Sequence, residues 1–316
     1  AVQATMHRPV RKLRVGTGLT CVALAIALTA REFPRTAPHC MTPLAGRLAS
    51  CPRRPCGQWR HHGALEDGSP LRRQASGRAG ERPKVADLGG ASGLVLHLYD
   101  HCPYCTRVEL VLGWRGLEYA KAGYGYADVE GPTRLTGKKA LPVLEWTDGS
   151  GERRRMPESR DIIGAVDGMD GPGRRIVARK TGRKDLGRWQ RRLRQFMHRL
   201  TRPRLIRMPI ADFATEADVQ YQMDKYIARG FDYEACLAET AELMPKVEGI
   251  LSEFEPLLHG DLSLSGNGWS WDDLHVLPSL RILTCVAGLK WPARVLRYVE
   301  EAHARAGVRL YSEHGC

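Results

Sequence analysis

The sequence predicts an α/β domain followed by an all-helical domain, both preceded by a long extension that does not fold. Three observations carry this. Between residues 94 and 157, short apolar runs of strand length alternate with turn clusters and one helical pattern. From about residue 186 onward, apolar residues recur at helical spacing with few strand signals. The first 93 residues hold 15 of the 48 Lys and Arg but only 5 of the 35 Asp and Glu. The chain has 316 residues, 43% hydrophobic and 26% charged. That is ordinary globular usage and excludes collagen-like, wholly disordered and polytopic membrane classes. The net charge of +13 belongs mostly to the extension, so a basic folded surface for nucleic acid is not expected. Nine cysteines are too sparse for a disulfide scaffold.

In the extension, Met6 is a candidate start and is followed by a basic cluster of Arg8, Arg11, Lys12 and Arg14. Leu19 to Ala30 is mostly apolar, short of the roughly 20 residues a membrane span needs. A basic start, a short apolar run and small residues at its end read as a secretory signal. Residues 31–60 then carry six arginines against Glu32 alone, the composition of a transit peptide. The two in series resemble the bipartite presequences of algae with complex plastids. This implies organelle import, to a plastid, and no stable membrane insertion in the mature form. A disordered extension or a mistranslated upstream region is the alternative, with a cytoplasmic protein. Cys21, Cys40, Cys51 and Cys56 are read as incidental, and residues 61–93 as linker.

Leu94–Tyr99 has the length and composition of a buried strand. Asp100-His101 ends it, Cys102-Pro103-Tyr104-Cys105 follows, and Val108, Val111 and Leu112 then recur at helical spacing, with Gly113 and Gly116 loosening the helix end. The cysteine pair therefore sits at a strand-to-helix turn. A free thiol is mostly protonated at neutral pH, but at a helix N-terminus unpaired amides and the helix dipole favour the thiolate. Pro103 suits the first helical turn, where its missing N–H costs nothing. Cys105 is one turn on, within reach of a mixed disulfide at Cys102. The expectation is an exposed attacking Cys102, a more buried resolving Cys105, and Tyr104 shielding the pair and touching substrate. A CxxC is also half a zinc site, but zinc needs two further ligands, and the sequence has no second CxxC or close His pair. No metal is expected. His101 either supports the thiolate or faces solvent as a loop histidine.

Ala140–Trp146 and Arg153–Met156 read as two strands joined by the turn cluster Asp148-Gly149-Ser150-Gly151. Pro142 is awkward inside a strand. Glu158-Ser159 precedes a helix over about Arg160–Asp167, where serine is an ordinary N-cap and the helix start an available anion site. Residues 171–185 are rich in Gly and charge and read as a linker, dividing a first domain (94–170) from a second (186–312). Trp189, Leu193, Phe196, Met197 and Leu200 form an amphipathic stripe. The opposite face carries Arg188, Arg191, Arg192, Arg194 and Arg199, read as a solvated face in preference to a nucleic-acid or acidic-partner surface. A second helix covers Ala217–Arg229, and a third Tyr233–Leu258, with Pro245 as a kink. Ser270 and Asp273 have capping-box spacing at the head of a helix apolar on nearly all sides, so a buried one. Cys236 and Cys285 are small core residues, and Trp291-Pro292 restarts the last helix.

Cys-Pro-Tyr-Cys after an apolar strand resembles the glutaredoxins. The succession Pro132-Thr133-Arg134, Gly137, Leu141-Pro142-Val143-Leu144, Met156-Pro157-Glu158-Ser159 and Asp161-Ile162 resembles the larger glutaredoxin-2 type. So does Leu277-Pro278, Leu280-Arg281, Leu283-Thr284, Val286-Ala287-Gly288 and Trp291-Pro292 near the end. The resemblance runs from about residue 94 to 312. It implies a thioredoxin-like first domain and a glutathione-transferase-like helical bundle covering one side of the cleft. It further implies a cis Pro142 facing the cysteines and a Leu141 backbone pairing with the cysteinyl unit of glutathione. Ser159 would hold the γ-glutamyl carboxylate, with Glu158 fixing that end and Lys139 meeting the other carboxylate. The implied function is glutathione-dependent reduction of protein disulfides and glutathione mixed disulfides, with glutathione as cosubstrate and disulfide-bearing or glutathionylated proteins as partners. Two alternatives are a transferase conjugating electrophiles and a non-enzymatic interaction module that uses the Arg-rich helix.

Overall fold

A computed structural model describes Leu88 and residues 90–316 apart from Asp261. The presequence and linker expected over residues 1–93, with their four cysteines, lie outside the described residues except for Leu88 and residues 90–93.

The first domain is a four-stranded mixed sheet with its helices. Its elements are β1 (Ser92–Leu98), α1 (Pro103–Trp114), β2 (Ala120–Gly123), α2 (Glu130–Thr136), β3 (Val143–Thr147), β4 (Arg153–Pro157) and α3 (Ser159–Gly168). The strand order is β2-β1-β3-β4. β2 runs parallel to β1, and β3 and β4 complete the sheet antiparallel. β3 is central, and Val143 to Trp146 are all buried, which explains its continuous apolar reading. β4 is an edge and exposes Arg153, Arg154 and Arg155 while burying Met156; charge on an edge strand discourages further pairing. In the connecting turn, Asp148 Oδ1 accepts from the amides of Ser150 (2.9 Å) and Glu152 (3.0 Å).

Three strand ends meet at one end of this sheet. His97 pairs with Val143, and Val143 pairs with Pro157. The chain leaving β1 toward Cys102, the Leu141-Pro142 step entering β3, and Glu158-Ser159 leaving β4 therefore lie side by side. The expected strand from Ala140 is corrected to a start at Val143. The Leu141–Pro142 peptide is cis and stands just before the ladder, where a residue without an N–H removes no strand hydrogen bond.

The second domain comprises α4 (Lys184–Leu205), α5 (Glu216–Ile227), α6 (Tyr233–Ala238), α7 (Thr240–Phe254), α8 (Trp271–Leu283) and α9 (Ala293–Ala306). The single third helix expected over Tyr233–Leu258 is corrected to α6 and α7. The break falls at Glu239, whose carbonyl accepts from both Glu242 and Leu243. The restart puts Pro245 well inside α7, so the proline is not the break. α8 carries the reciprocal Ser270–Asp273 capping box and is buried along most of its length.

α1 joins the domains by packing on α8 and α9. The Trp114 indole donates to the Ala302 carbonyl at 2.9 Å and stacks on Trp269 at 4.6 Å. Gly113 does not loosen the helix as expected. It is where α1 crosses α9, and a Cβ there would lie 2.0 Å from the Ala306 carbonyl oxygen. No helix among the described residues is long and apolar enough to cross a membrane.

Candidate active site

Cys102 is the N-cap of α1, with extended backbone (φ −76°, ψ 122°), and Pro103 opens the first turn. Its carbonyl accepts from the Thr106 amide at 3.0 Å, so the thiol sits where α1 has unsatisfied amides. The Cys102 thiol is drawn down from its usual 9.0 to about 7, chiefly because the Cys105 thiol donates a hydrogen bond to it. Burial opposes this, while the amides of Cys105 and Tyr104 and the charge of His101 assist it. Cys105 is fully buried and is pushed well above 9.0, by burial first and then by its bond to Cys102. The two sulfurs are thus split into one that ionises near neutrality and one that holds its proton. Cys102 itself is half-buried, less open than expected. Tyr104 follows at the start of α1. It is 54% exposed, and the Arg107 guanidinium lies 4.9 Å from its ring centre.

His101 does not face solvent. Its Nδ1–H donates to Asp212 Oδ2 at 2.5 Å, and its amide donates to the same oxygen at 2.8 Å. The Asp100 amide donates to Asp212 Oδ1 at 2.9 Å. Asp212 is fully buried and belongs to a short 3₁₀ turn, Ala211–Phe213, between α4 and α5. Tyr126 and Phe213 pack on the His101 ring at 4.9 and 5.1 Å. Asp100 is gripped again through its side chain and carbonyl. Arg281 of α8 donates to Oδ1 (2.6 Å) and to the carbonyl (2.7 Å), and the Tyr311 hydroxyl donates to Oδ1 (2.8 Å). The amides of Asp100 and His101, the His101 ring and the carbonyl and carboxylate of Asp100 are therefore held by the helical domain. Asp212 and Tyr311 escaped the sequence reading, and Arg281 entered it without a role, since no short-range pattern links positions more than a hundred residues apart.

The other expected residues line the same end of the sheet. Pro142 is cis, and Leu141 is half-buried beside the core. Ser159 is corrected from N-cap to the first helical residue. Glu158 is the N-cap, at φ +70°, and no side chain caps α3. A non-glycine residue held in that region costs about 1–3 kcal/mol and persists where its surroundings over-determine it. Ser159 is buried beside first-turn amides of α3 that no side chain caps, the kind of helix start that suits an anion. Lys139 donates to the Tyr126 carbonyl at 2.6 Å and lies 3.9 Å from the Tyr221 ring centre, which puts its charge beside the aromatic group around His101. No cluster of three or more metal-ligating side chains is found among the described residues.

Comparison with known proteins gives a consistent picture. Residues 185–315 match the family profile "Glutaredoxin 2, C terminal domain", and residues 96–171 match "Glutathione S-transferase, N-terminal domain". The chain is 31% identical over 221 residues to glutaredoxin 2 of Escherichia coli (strain K12), covering 69% of this chain and 97% of that protein. Glutaredoxin 2 from Salmonella typhimurium, solved in complex with glutathione, is 29% identical with a TM-score of 0.65, over 71% of this chain and all of that one. A glutathione transferase from Phanerochaete chrysosporium shares the fold, at 14% identity and a TM-score of 0.50, over 68% of this chain and 98% of its own.

Proposed function

Because the chain belongs to the glutaredoxin 2 family and is a glutathione-dependent oxidoreductase, we propose that Cys102 and Cys105 are its exchanging pair. The opposed ionisation of the two thiols at the head of α1 is the observation that carries this reading. The Cys102 thiolate attacks the glutathione sulfur of a protein–glutathione mixed disulfide and releases the protein thiolate. A second glutathione thiolate then attacks glutathionyl-Cys102, giving glutathione disulfide and restoring Cys102. On a protein disulfide, the Cys102 thiolate attacks one sulfur, breaking the S–S bond to form a mixed disulfide, and the first protein thiolate leaves and takes up the Cys105 proton. The Cys105 thiolate then attacks the Cys102 sulfur and expels the second protein thiolate. Two glutathiones reduce the resulting Cys102–Cys105 bridge.

The residues fit glutathione. The seat at Ser159 and the α3 amides suits the γ-glutamyl carboxylate, the backbone at Leu141 just ahead of β3 suits the cysteinyl unit, and Lys139 supplies positive charge nearby. For residues 1–93 the reading remains a targeting presequence for a plastid, supported by their basic, acid-poor composition and tested by the mass of the mature N-terminus.

Activity assays separate the roles. Cys105→Ser is expected to keep deglutathionylation and lose protein-disulfide reduction, while Cys102→Ser loses both. Retention of both by Cys102→Ser overturns the assignment, and conjugation of an electrophile unaffected by that change favours a transferase.

A further inference from the structure

The ring of Tyr104 is exposed beside the cysteine pair, Arg107 lies over it, and further arginines stand on α3 and α4. Arg107 of α1 lies over that ring and is anchored through Nε to the Leu274 carbonyl of α8 at 2.9 Å. Arg160 of α3 lies 5.9 Å from the ring centre of Trp271, also on α8. Gln190 of α4 donates to the His275 carbonyl at 3.0 Å, which seats α4 against the same helix. Arg194 follows one turn later and is exposed. Arg191, Arg194 and Arg202 are spaced i, i+3 and i+11, forming one stripe of α4. Arg202 is propped 3.9 Å from the Tyr226 ring centre.

Arg107, Arg160 and Arg202 are held by a carbonyl or by rings rather than by acids. Among the described residues, none of the five has a carboxylate within ion-pair distance. Elsewhere on the same helix the pattern differs, since Arg192 pairs with Glu253 and Arg199 with Glu239. Asp272, at the head of α8, is already engaged by the Thr181 amide (2.7 Å) and hydroxyl (2.5 Å). Burial lowers the guanidinium pKa of Arg107; the charges of Tyr104 and Cys102 oppose this, and those of Arg160 and Arg194 add to it, so Arg107 senses both other arginines. Gathered like charges without counter-ions cost free energy that an anionic partner recovers.

We propose that this arginine-bearing surface docks an acidic segment of the substrate protein, the stretch that flanks the cysteine carrying the disulfide. The proposal deepens the exchange reading above and rests on it for the reacting pair. Two arguments choose this occupant. The stripe from Arg191 to Arg202 alone is about 16 Å long at the rise of a helix, longer than an extended tripeptide at roughly 10 Å. Glutathione moreover has its own seat at Leu141 and Ser159. An occupant beside Cys102 must also bring it a sulfur, which a peptide does and a nucleic acid does not.

The test uses the full chain and two glutathionylated peptides of equal length. One has Asp and Glu around its cysteine, and the other has Asn and Gln in their places. A small neutral mixed disulfide of glutathione is the third substrate. The native protein is expected to turn over the acidic peptide with a kcat/KM about tenfold above the neutral one at low salt, converging as salt rises. The double variant Arg191→Gln/Arg194→Gln should lose most of that advantage while the small disulfide stays within twofold. Equal rates on the two peptides, or an advantage that survives in the variant, overturn the proposal. An equal loss on the small disulfide also overturns it, because the arginines then serve glutathione. No turnover of any substrate refutes the exchange reading instead, and anisotropy binding of the acidic peptide with its cysteine replaced by serine then decides the docking surface. A single-stranded oligonucleotide that binds more tightly than this peptide at the same salt overturns it as well.

Discussion

The sharpest test of the active-site chemistry is removal of the Cys105 thiol. Cys102 is drawn from 9.0 to about 7, and donation from Cys105 is the largest cause, acting against burial. A hydrogen bond to a charged acceptor contributes about 1.5–3 kcal/mol, and one pKa unit corresponds to about 1.4 kcal/mol. Cys105→Ala should therefore raise the Cys102 midpoint by about one to two units, leaving the α1 amides and His101 as its remaining support. Cys105→Ser keeps a donor and should shift it less. The assay is the pH dependence of alkylation, followed at the Cys102 peptide by mass spectrometry so that other cysteines do not contribute. The midpoint must be read, not the rate at one pH. At neutral pH the thiolate fraction falls about five- to fiftyfold, but a more basic thiolate is intrinsically more nucleophilic, which restores about three- to eightfold. The sign is fixed: the reactive form is the anion, so exchange rises with pH through about 7 in the native protein and at higher pH in the alanine variant. A midpoint within 0.3 units of native in Cys105→Ala would sink the argument that one thiol ionises the other.

Three further outcomes are expected. Asp212→Asn turns an amide NH₂ toward a site that receives three donors; urea unfolding should show a loss of about 2 kcal/mol or more, with slower exchange. Gly113→Ala forces a Cβ onto the α9 backbone at Ala306 and should cost about 3 kcal/mol by the same measurement, whereas Gly149→Ala, in an open turn, should stay within about 0.5 kcal/mol. Arg281→Met strips the carboxylate of Asp100 of its partner and should cost about 3–5 kcal/mol. Asp100 is held below its usual 3.8 by Arg281 against its own burial. That contribution is therefore present above about pH 4 and lost as pH falls through the lower folded value, so acid titration of stability in Arg281→Met should lack this component.

The parts legible in the sequence were those encoded locally. Cys102 and Pro103 place a helix start after an apolar strand, and Ser270 with Asp273 place another, because capping chemistry acts over three residues. β2 was not legible. Ala120–Gly123 is a short edge segment with little burial and no apolar alternation, and its strand state comes from pairing with β1. α2 was hidden by Gly131 and Pro132 in its first turn. Pro245 misdirected the reading of the third helix, since its sequence marks a breaker wherever the break lies. Gly113 reads as a weak helix residue, and only the crossing with α9 reveals that a side chain has no room there.

The same distinction explains why the second domain is more than a cover for the cleft. Cys102, the proposed nucleophile, lies on the first domain at the head of α1. Yet the two residues ahead of it have their amides on Asp212, and the Asp100 carboxylate and carbonyl rest on Arg281 and Tyr311. Arg281 is 2% exposed. Its guanidinium also donates to Thr106 Oγ1 at 3.2 Å, and that hydroxyl in turn donates to the Cys102 carbonyl at 3.2 Å. Displacing the helical domain would leave a buried cation and several loop donors without partners, each at a cost of the order of kcal/mol. If Cys102 is the nucleophile, its reactivity is coupled to the docking of the two domains. A substitution that weakens the α1–α9 crossing should raise the alkylation midpoint of Cys102, though it touches neither sulfur.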